Sequence, residues 1–569
     1  MNEKNLENKI KILESEITRL KKNNLGLSFE DKQEDVVELT KAKIPVLREV
    51  VNNRINLGCF TKNNLMIEGD NYLSLSVLNY THKNRINLIY IDPPYNTGSK
   101  DWKYNNDYVD AEDSYRHSKW LSFMRHRLNL CRNLLTDNGF IVCAIDHNEL
   151  FTLGVLMDKI FGEQNRIGIV TVLHNPKGRN FTKWFSANSE YMLIYAKDVS
   201  KSSFSSIAID EEVSQTFEFT ETDGRKYRLE DFMRSRTETL RENKPKFWYP
   251  IYVSNDLKDI TIIKKKNYIE VFPIAANGKE ATWINLPETF SDKNIKNNFV
   301  AKRVDGKIGI YRKYYEQQIL KNVWTDKKYQ SEFHGTNLLK DILGDKVFDY
   351  PKSLYTVLDV VRIMTDKNSI VLDFFAGSGT TGHAVLKANE IDGGNRKFIV
   401  CTNNENNNQT GTGGIAESVC YPRIKSVING YKNKKAEDVS GIPANLYYYK
   451  TDLVDIETIT KISDEAKVRI THEVGEVIAV KEDTPMEVEK NDWWQIFEGE
   501  NKLTAIYFRE DKTKLTDLIA TLLKKNLPTV LYIFSWGKNE YKTEYTTPDI
   551  TVEDIPEPII QVYKEINSI

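Results

Sequence analysis

Apolar positions recur along the chain in two rhythms, and the changes of rhythm mark its organisation. Leu6, Ile10, Leu13, Ile17 and Leu20 follow one another at alternating steps of four and three, with Glu and Lys between them, and Leu25-Gly26 ends the run. That spacing fits a short coiled-coil seam or a helix packed on its own domain. A polar stretch continues to about Gln33. From Asn64 short apolar runs alternate with helical segments, as an α/β domain with a parallel sheet requires. Leu65-Met66-Ile67 predicts a strand, Asn71 to Tyr80 a helix, and Ile86 to Ile91 a second buried strand. Asp113-Ser114 can cap a helix running to about Leu135, with Leu121, Met124, Leu128, Cys131 and Leu135 on one face. Asp137-Asn138-Gly139 then predicts a turn into the strand Phe140 to Ile145.

Between about 175 and 350 this regularity gives way to a polar, aromatic and basic region holding Lys177, Arg179, Lys183, Arg234, Arg236, Arg241, Lys244, Lys246 and Lys264-Lys265-Lys266. The α/β rhythm then resumes, with helix Leu354 to Met364, strand Ile370 to Phe375, helix Thr380 to Asn389 and strand Phe398 to Cys401. Two halves of one sheet, separated by an inserted domain, are the economical explanation. Beyond about Gly441 a third region carries the strand-like runs Val477 to Val480, Ala505 to Phe508 and Val530 to Phe534.

Composition narrows the class. The 569 residues are 40% hydrophobic and 28% charged, which fits a folded chain and excludes a mainly disordered or collagen-like one. No apolar run approaches the ~20 residues of a membrane span, and Met1-Asn2-Glu3-Lys4 leads into a charged helical pattern without a signal peptide's apolar stretch, so the cytoplasm is expected. Lys plus Arg (79) nearly balance Asp plus Glu (81), so no global basic field announces a nucleic-acid partner, although one local basic face would suffice. Cys59, Cys131, Cys143, Cys401 and Cys420 form no CxxC pair and read as buried reduced thiols. The eight histidines show no HExxH grouping, and no metal is expected.

Two segments carry candidate chemistry. Asp92-Pro93-Pro94-Tyr95 directly follows the strand Ile86 to Ile91 and so places a carboxylate and an aromatic ring at a strand's carboxyl end, where open α/β sheets bind ligands. The prolines fix φ and remove two backbone donors, leaving the turn's carbonyls as acceptors beside Asp92, so that a planar amine can be gripped there while Tyr95 stacks on its ring. A Pro-rich turn with a capping Asp is the plain alternative. The second segment, Asp373-Phe374-Phe375-Ala376-Gly377-Ser378-Gly379-Thr380-Thr381-Gly382, begins in a strand and ends at a helix start. Its glycines allow close backbone approach to a ligand. Gly377-x-Gly379-x-x-Gly382 alone also satisfies a dinucleotide fingerprint, whereas a Walker A loop is excluded by the missing Gly-Lys-Ser/Thr.

Together, Asp-Pro-Pro-Tyr and DxFxGxGTT resemble the catalytic and cofactor motifs of the amino-methyltransferases that use S-adenosylmethionine. The catalytic motif precedes the cofactor motif by 281 residues, an order similar to that of the permuted β-class DNA methyltransferases. The extension Asn96-Thr97-Gly98, followed by Asp101-Trp102 and Tyr104, resembles the Mod subunits of type III restriction-modification systems. By motif the resemblance covers about residues 60–150 and 350–430.

The resemblance implies an α/β, Rossmann-like methyltransferase core with an inserted target recognition domain and a C-terminal α/β domain. The expected divisions are an N-terminal helix at 1–33, the catalytic half of the core at 34–174, the recognition domain at 175–350, the cofactor half at 351–440 and an assembly or partner-binding domain at 441–569. The implied activity is site-specific methylation of adenine N6 on a base flipped out of double-stranded DNA, by a homodimer that can bind a restriction helicase-nuclease subunit. Asp92 and the Pro93 carbonyl would hold the amine, with Pro94 fixing the turn and Tyr95 stacking on the base. Asp373, Phe374, Phe375, Ala376, Gly377 and Gly379 would line the methionine end of S-adenosylmethionine, with Thr380 opening the next helix. Asp70 would meet the cofactor's adenine amine, unless it serves only as a helix cap. Pro351-Lys352-Ser353 resembles the element that closes over the methionine moiety, with Lys352 and Ser353 as cofactor contacts, and Asp92 is also expected to touch the cofactor. The strand Lys397 to Cys401 should end near a ribose-binding acid, but the chain reads Cys401-Thr402-Asn403-Asn404-Glu405, so either Asn404 substitutes or Glu405 reaches back. Asn96, Tyr104, His174, Lys177, Arg179, Arg234, Arg236 and Lys264 are the candidate DNA contacts. Rival readings are a nicotinamide oxidoreductase, a DNA-binding module that keeps the core as scaffold, an RNA or protein-amide methyltransferase, and a solitary regulatory methyltransferase.

Overall fold

The structure, a computed structural model, describes residues 29–567 apart from 59–62, 179–183, 206–214, 223–224, 235, 296, 305, 316–319, 406–413, 510 and 537–540. The heptad-like run at 6–20 and Arg179 therefore lie outside the described residues. The chain divides into two compact units, one comprising residues up to 205 and from 321 onward, the other 206–320.

The first unit is built on a ten-stranded sheet. In chain order its strands are β1 (Lys43–Glu49), β2 (Asn63–Glu68), β3 (Ile86–Ile91), β4 (Leu135–Ile145), β5 (Arg166–Val172), β6 (Glu190–Ala196), β7 (Val323–Trp324), β8 (Ile370–Asp373), β9 (Lys397–Thr402) and β10 (Asn445–Asp455), arranged in space as β1-β10-β2-β9-β8-β3-β4-β6-β5-β7. The six strands from β10 to β4 are mutually parallel, while β1 and β6 run against their neighbours. Parallel neighbours need crossovers. These are helices α1 (Asn71–Thr81) between β2 and β3, α2 (Arg116–Leu134) between β3 and β4, and α4 (Thr380–Asp392) between β8 and β9, with α3 (Leu354–Met364) leading into β8. The central strands are covered on both faces, which is why Ile86, Leu88, Ile89, Tyr90 and Ile91 form a continuous buried run rather than an alternating one. Strand β3 and helix α3 fall where the apolar runs predict them.

Four expectations need correcting. Val477 to Val480 is not a strand but the buried middle of a helix, Gly475–Glu482. A four-residue apolar run cannot distinguish the two when the helix is buried on every side. The Asp137-Asn138-Gly139 turn lies inside β4, where the pairing with β3 slips between Ile86 and Leu88. The inserted unit is narrower than 175–350, because β6 pairs with β4 and Val323–Trp324 pairs with β5. The third boundary dissolves as well. Strand β10, within the expected C-terminal domain, is an interior strand of the large sheet, and a five-stranded sheet spanning residues 486–555 packs Phe497, Ile506 and Tyr532 into the same core. The Tyr563 hydroxyl donates to the Pro45 carbonyl at 2.7 Å and ties the final helix to β1.

The second unit has its own core of Phe232, Ile251, Val253, Trp283, Phe290 and Phe299 beneath a four-stranded and a three-stranded sheet. Among the described residues, no helix is long and apolar enough to cross a membrane, and Cys131, Cys143, Cys401 and Cys420 are buried free thiols.

Candidate active site

Strand order brings the two motifs together. Val371 and Leu372 of β8 pair with Leu88 and Ile89 of β3, so the carboxyl ends of both strands emerge side by side although their motifs are 281 residues apart. Reading along that edge through β2, β9, β8 and β3, the segments that follow are Gly69-Asp70, Asn403 to Glu405, Asp373 to Gly379, and Asp92 to Tyr95. Such an edge is the ligand-binding side of an open α/β sheet.

The Asp92 side chain keeps 29% of its exposure, yet its Oδ1 is buried and accepts no hydrogen bond. Lys352 Nζ lies 3.2 Å from that oxygen as an ion pair, outside hydrogen-bond alignment, while it donates to Glu190 Oε2 at 2.6 Å. Lys352 also donates to the Tyr95 hydroxyl, which itself donates to Glu190 at 3.2 Å. Burial raises the pKa of Asp92, Lys352 pulls it down and Glu190 pushes it up, for a net rise. Burial also works to raise that of Glu190, but Lys352, His174 and Tyr95 together outweigh it and the net shift is downward. The Lys352 ammonium is held charged, because its two carboxylate neighbours more than offset the burial that disfavours it. The turn offers fewer acceptors than expected, since the Pro94 carbonyl is taken by Trp120 Nε1 at 2.8 Å.

Asp373 is buried, and its carboxylate accepts from the Phe375 amide at 2.9 Å and from the Thr381 hydroxyl at 2.5 Å. Burial pushes its pKa up to about 7, against those hydrogen bonds. Gly377 and Gly379 have φ of +48° and +77°, the left-handed region that favours glycine, and Gly379 stands just before α4. Arg423, fully buried, donates to Thr380 Oγ1 at 2.8 Å and Ser378 Oγ at 3.1 Å, bracing the loop from below. On the β2 side, Asp70 caps α1 by accepting from the Tyr72 amide at 2.7 Å, and Asn71 Nδ2 donates to the Phe374 carbonyl at 3.1 Å. Arg127, also fully buried, pairs with Glu34 at 2.8 Å and Asp70 at 3.3 Å.

Residues 86–410, more than half of the chain, match the family described as DNA methylase. The chain belongs to the DNA methylase family. It is 33% identical over 382 residues to the type III restriction-modification enzyme EcoPI Mod subunit of Escherichia phage P1, covering 61% of this chain and 58% of that protein. It is 32% identical over 338 residues to the type II methyltransferase M.KpnI of Klebsiella pneumoniae, covering 59% and 79%. Identity to the StyLTI Mod subunit of Salmonella typhimurium is 33% over 368 residues, covering 60% and 52%. The chain thus spans just over half the length of these two Mod subunits.

In this member of the family, several expected contacts are placed elsewhere. Asn96 is a buried residue at φ +56°; its amide donates to Glu149 at 2.5 Å and its carbonyl accepts from Trp102 Nε1 at 3.0 Å, so it braces the turn from behind and is not positioned to meet DNA. Tyr104 is likewise a core residue, its ring edge-on to Trp102 and its hydroxyl donating to the Lys32 carbonyl at 2.7 Å. The Phe374 ring is fully buried, and the Ser353 hydroxyl donates to the Lys328 carbonyl at 2.6 Å, so neither side chain faces the loop's open side. Phe375 packs on Phe123 with centroids 5.8 Å apart, and Ala376 is buried. Asn404 spends its side-chain oxygen on the Glu417 amide, while Glu405 is exposed. Lys177 pairs with Glu332 at 2.9 Å on the surface, and the His174 carbonyl accepts from the Ser331 amide. In the second unit Arg234, Arg236 and Lys264 are exposed.

Sequence reading missed Glu190, Arg423 and Arg127. Glu190 heads a strand inside a region read as insert, and the two arginines interrupt otherwise apolar helix faces, which was the available signal. One prediction follows at Gly377, where an added Cβ has room at ordinary contact distance, 3.4 Å from Phe348 Cζ and 3.9 Å from the Phe375 carbonyl. Gly377→Val fills that space and strains a positive φ. S-adenosylmethionine binding should fall at least about tenfold by calorimetric titration, whereas unchanged affinity would remove this loop from the cofactor site.

Proposed function

We propose that the chain is an S-adenosylmethionine-dependent DNA adenine-N6 methyltransferase acting as the recognition and modification subunit of a type III restriction-modification system. The observation that carries this reading is the pairing of β3 with β8, which sets an amine-gripping turn beside a glycine loop on one sheet edge. Family membership and the Mod names of two relatives support it.

The residues fit the cofactor. Gly377 leaves room for close approach without a clash, Asp373 can ionise beside a cation near neutral pH, and the segments after β2, β9, β8 and β3 lie along one sheet edge. Asp70 would face the adenine end, the β9 terminus the ribose, and Asp373 to Gly379 with Lys352 the methionine end. When bound, S-adenosylmethionine supplies a methyl group on a positively charged sulfur. The exposed part of the Asp92 carboxylate, whose Oδ1 is buried against Lys352, and the Pro93 carbonyl would accept from the target's exocyclic amine and aim its nitrogen lone pair. Tyr95 would stack on the flipped base, since the amine is unreachable in line inside a stacked duplex. Asp92 would serve as an acceptor that holds the amine and need not take a proton from it beforehand, since the product nitrogen can lose its extra proton to solvent. The unit at 206–320 would read the target sequence through its exposed cations and polar side chains. By the same reading the protein works as a homodimer alongside a restriction subunit.

The direct test incubates purified protein with unmethylated plasmid and S-adenosylmethionine and maps modified bases by single-molecule sequencing. N6-methyladenine at one short motif on one strand is the expected result. Modified cytosine overturns the choice of base, and label entering only RNA or protein overturns the choice of substrate.

A further inference from the structure

Three charged side chains from distant parts of the chain converge at the Asp92 turn. Asp92 follows β3, Lys352 precedes α3, and Glu190 is the first residue of β6. Because β6 runs antiparallel to β4, its beginning lies on the edge where the parallel strands end. Glu190 is thereby buried beside the catalytic turn, although it belongs to no motif.

The geometry is unequal. Lys352 makes its hydrogen bond to Glu190 at 2.6 Å and stands 3.2 Å from Asp92 Oδ1 without one. The Tyr95 hydroxyl also points to Glu190, and the Lys352 ammonium lies 4.7 Å from the centre of the Tyr95 ring. An ammonium paired with Asp92 alone would be free to swing from the buried Oδ1 onto the exposed side of the carboxylate that a substrate amine must use. Each such donor would have to be displaced before the amine could bind, at the cost of a charge-assisted bond.

We infer that Glu190 is a positioning residue: its carboxylate shares the Lys352 ammonium with Asp92, holds it on the buried Oδ1 side, leaves the exposed part of the Asp92 carboxylate to the substrate amine, and sets the Tyr95 ring. This rests on the methyltransferase reading above.

Removing the Glu190 charge has a signed consequence. Asp92 interacts with Lys352, Glu190, Tyr90, Tyr95, Cys143 on β4 and Asp373 on β8, while His174 acts on Glu190. Of these, Glu190 raises the Asp92 pKa, while Lys352 and Tyr95 lower it. Glu190→Gln abolishes the first influence and lets Lys352 close on Asp92, so both changes lower that pKa. Transfer needs the ionised carboxylate, and the acid limb of the rate profile should therefore move to lower pH even as the plateau falls.

The experiment compares wild type, Glu190→Gln and the double variant Glu190→Gln/Lys352→Gln, as full chains, by cofactor titration and by kcat and KM for DNA methylation from pH 5 to 9. For Glu190→Gln we expect kcat down by about 10- to 100-fold, cofactor affinity within about threefold of wild type, and an acid limb at lower pH. The double variant, freed of the competing ammonium, should recover part of the lost kcat when assayed at saturating cofactor, even though the loss of Lys352 weakens cofactor binding. An unchanged plateau, or a fallen plateau with an unmoved limb and no recovery in the double variant, overturns the role of Glu190. A wild-type protein that binds cofactor yet transfers no methyl group to DNA overturns the underlying reading instead.

Discussion

Asp92→Ala should abolish methyl transfer, with kcat falling by about a thousandfold or more, while S-adenosylmethionine still binds. The lost carboxylate is the acceptor that orients the amine, and one ångström of misplacement alone costs about a hundredfold. Cofactor binding should survive because the loop from Asp373 to Gly379 is braced by Thr381 and Arg423, not by Asp92. The fold should survive too, since Lys352 keeps its 2.6 Å bond to Glu190. Single-turnover assays alongside calorimetric titration check both halves, and joint loss of binding and transfer would mark a folding defect.

Lys352→Ala should have the largest effect on stability, about 3–5 kcal/mol in denaturant unfolding at pH 8, as expected when one partner is taken from a buried ion pair. Two carboxylates, Asp92 and Glu190, would then share a buried site with no cation between them. Both would titrate above their unfolded values of roughly 4, so the deficit is full at neutral and alkaline pH and shrinks as the pH falls through those raised values. A deficit that stays constant from pH 8 down to 5 would mean that lost packing, not unpaired charge, is responsible. Glu190→Gln/Lys352→Ala should cost less than Lys352→Ala alone, because it removes a stranded charge rather than a contact.

How much of this was legible in the sequence depended on whether a residue's environment is set by its near neighbours. Ile86 to Ile91 and Leu354 to Met364 are long apolar patterns whose type is fixed locally, and both lie where they are predicted. The two motifs were equally visible, each being a contiguous string at a strand end. Strand β10 was not, because Tyr447-Tyr448-Tyr449 sits in a mixed polar stretch and becomes a sheet interior only when β1 and β2 flank it. Val477 to Val480 carried an apolar signal of no definite period. The buried charges were the hardest class. Nothing near Glu190 in sequence announces Lys352, and nothing near Arg127 announces Glu34, yet these distant partners are what make their burial tolerable. The same blindness turned Asn96 and Tyr104 into expected DNA contacts: a polar side chain beside a catalytic motif looks available until its partners are seen.

The adjacency of β3 and β8 also dictates an order of events at the ribosome. Strand β3 can pair with β4 within some fifty residues of further synthesis, but β8 follows only after residues 206–320 have emerged. At about 5–20 residues per second, translation from Asp92 to Asp373 leaves the β8-facing edge of β3 open for on the order of 15–60 s. That edge presents Leu88 and Ile89 with unpaired backbone groups, the kind of surface on which chains aggregate. Expression yield should therefore respond to translation speed through the inserted unit, and a fragment ending before residue 370 should be poorly soluble even though it contains the whole Asp92 turn.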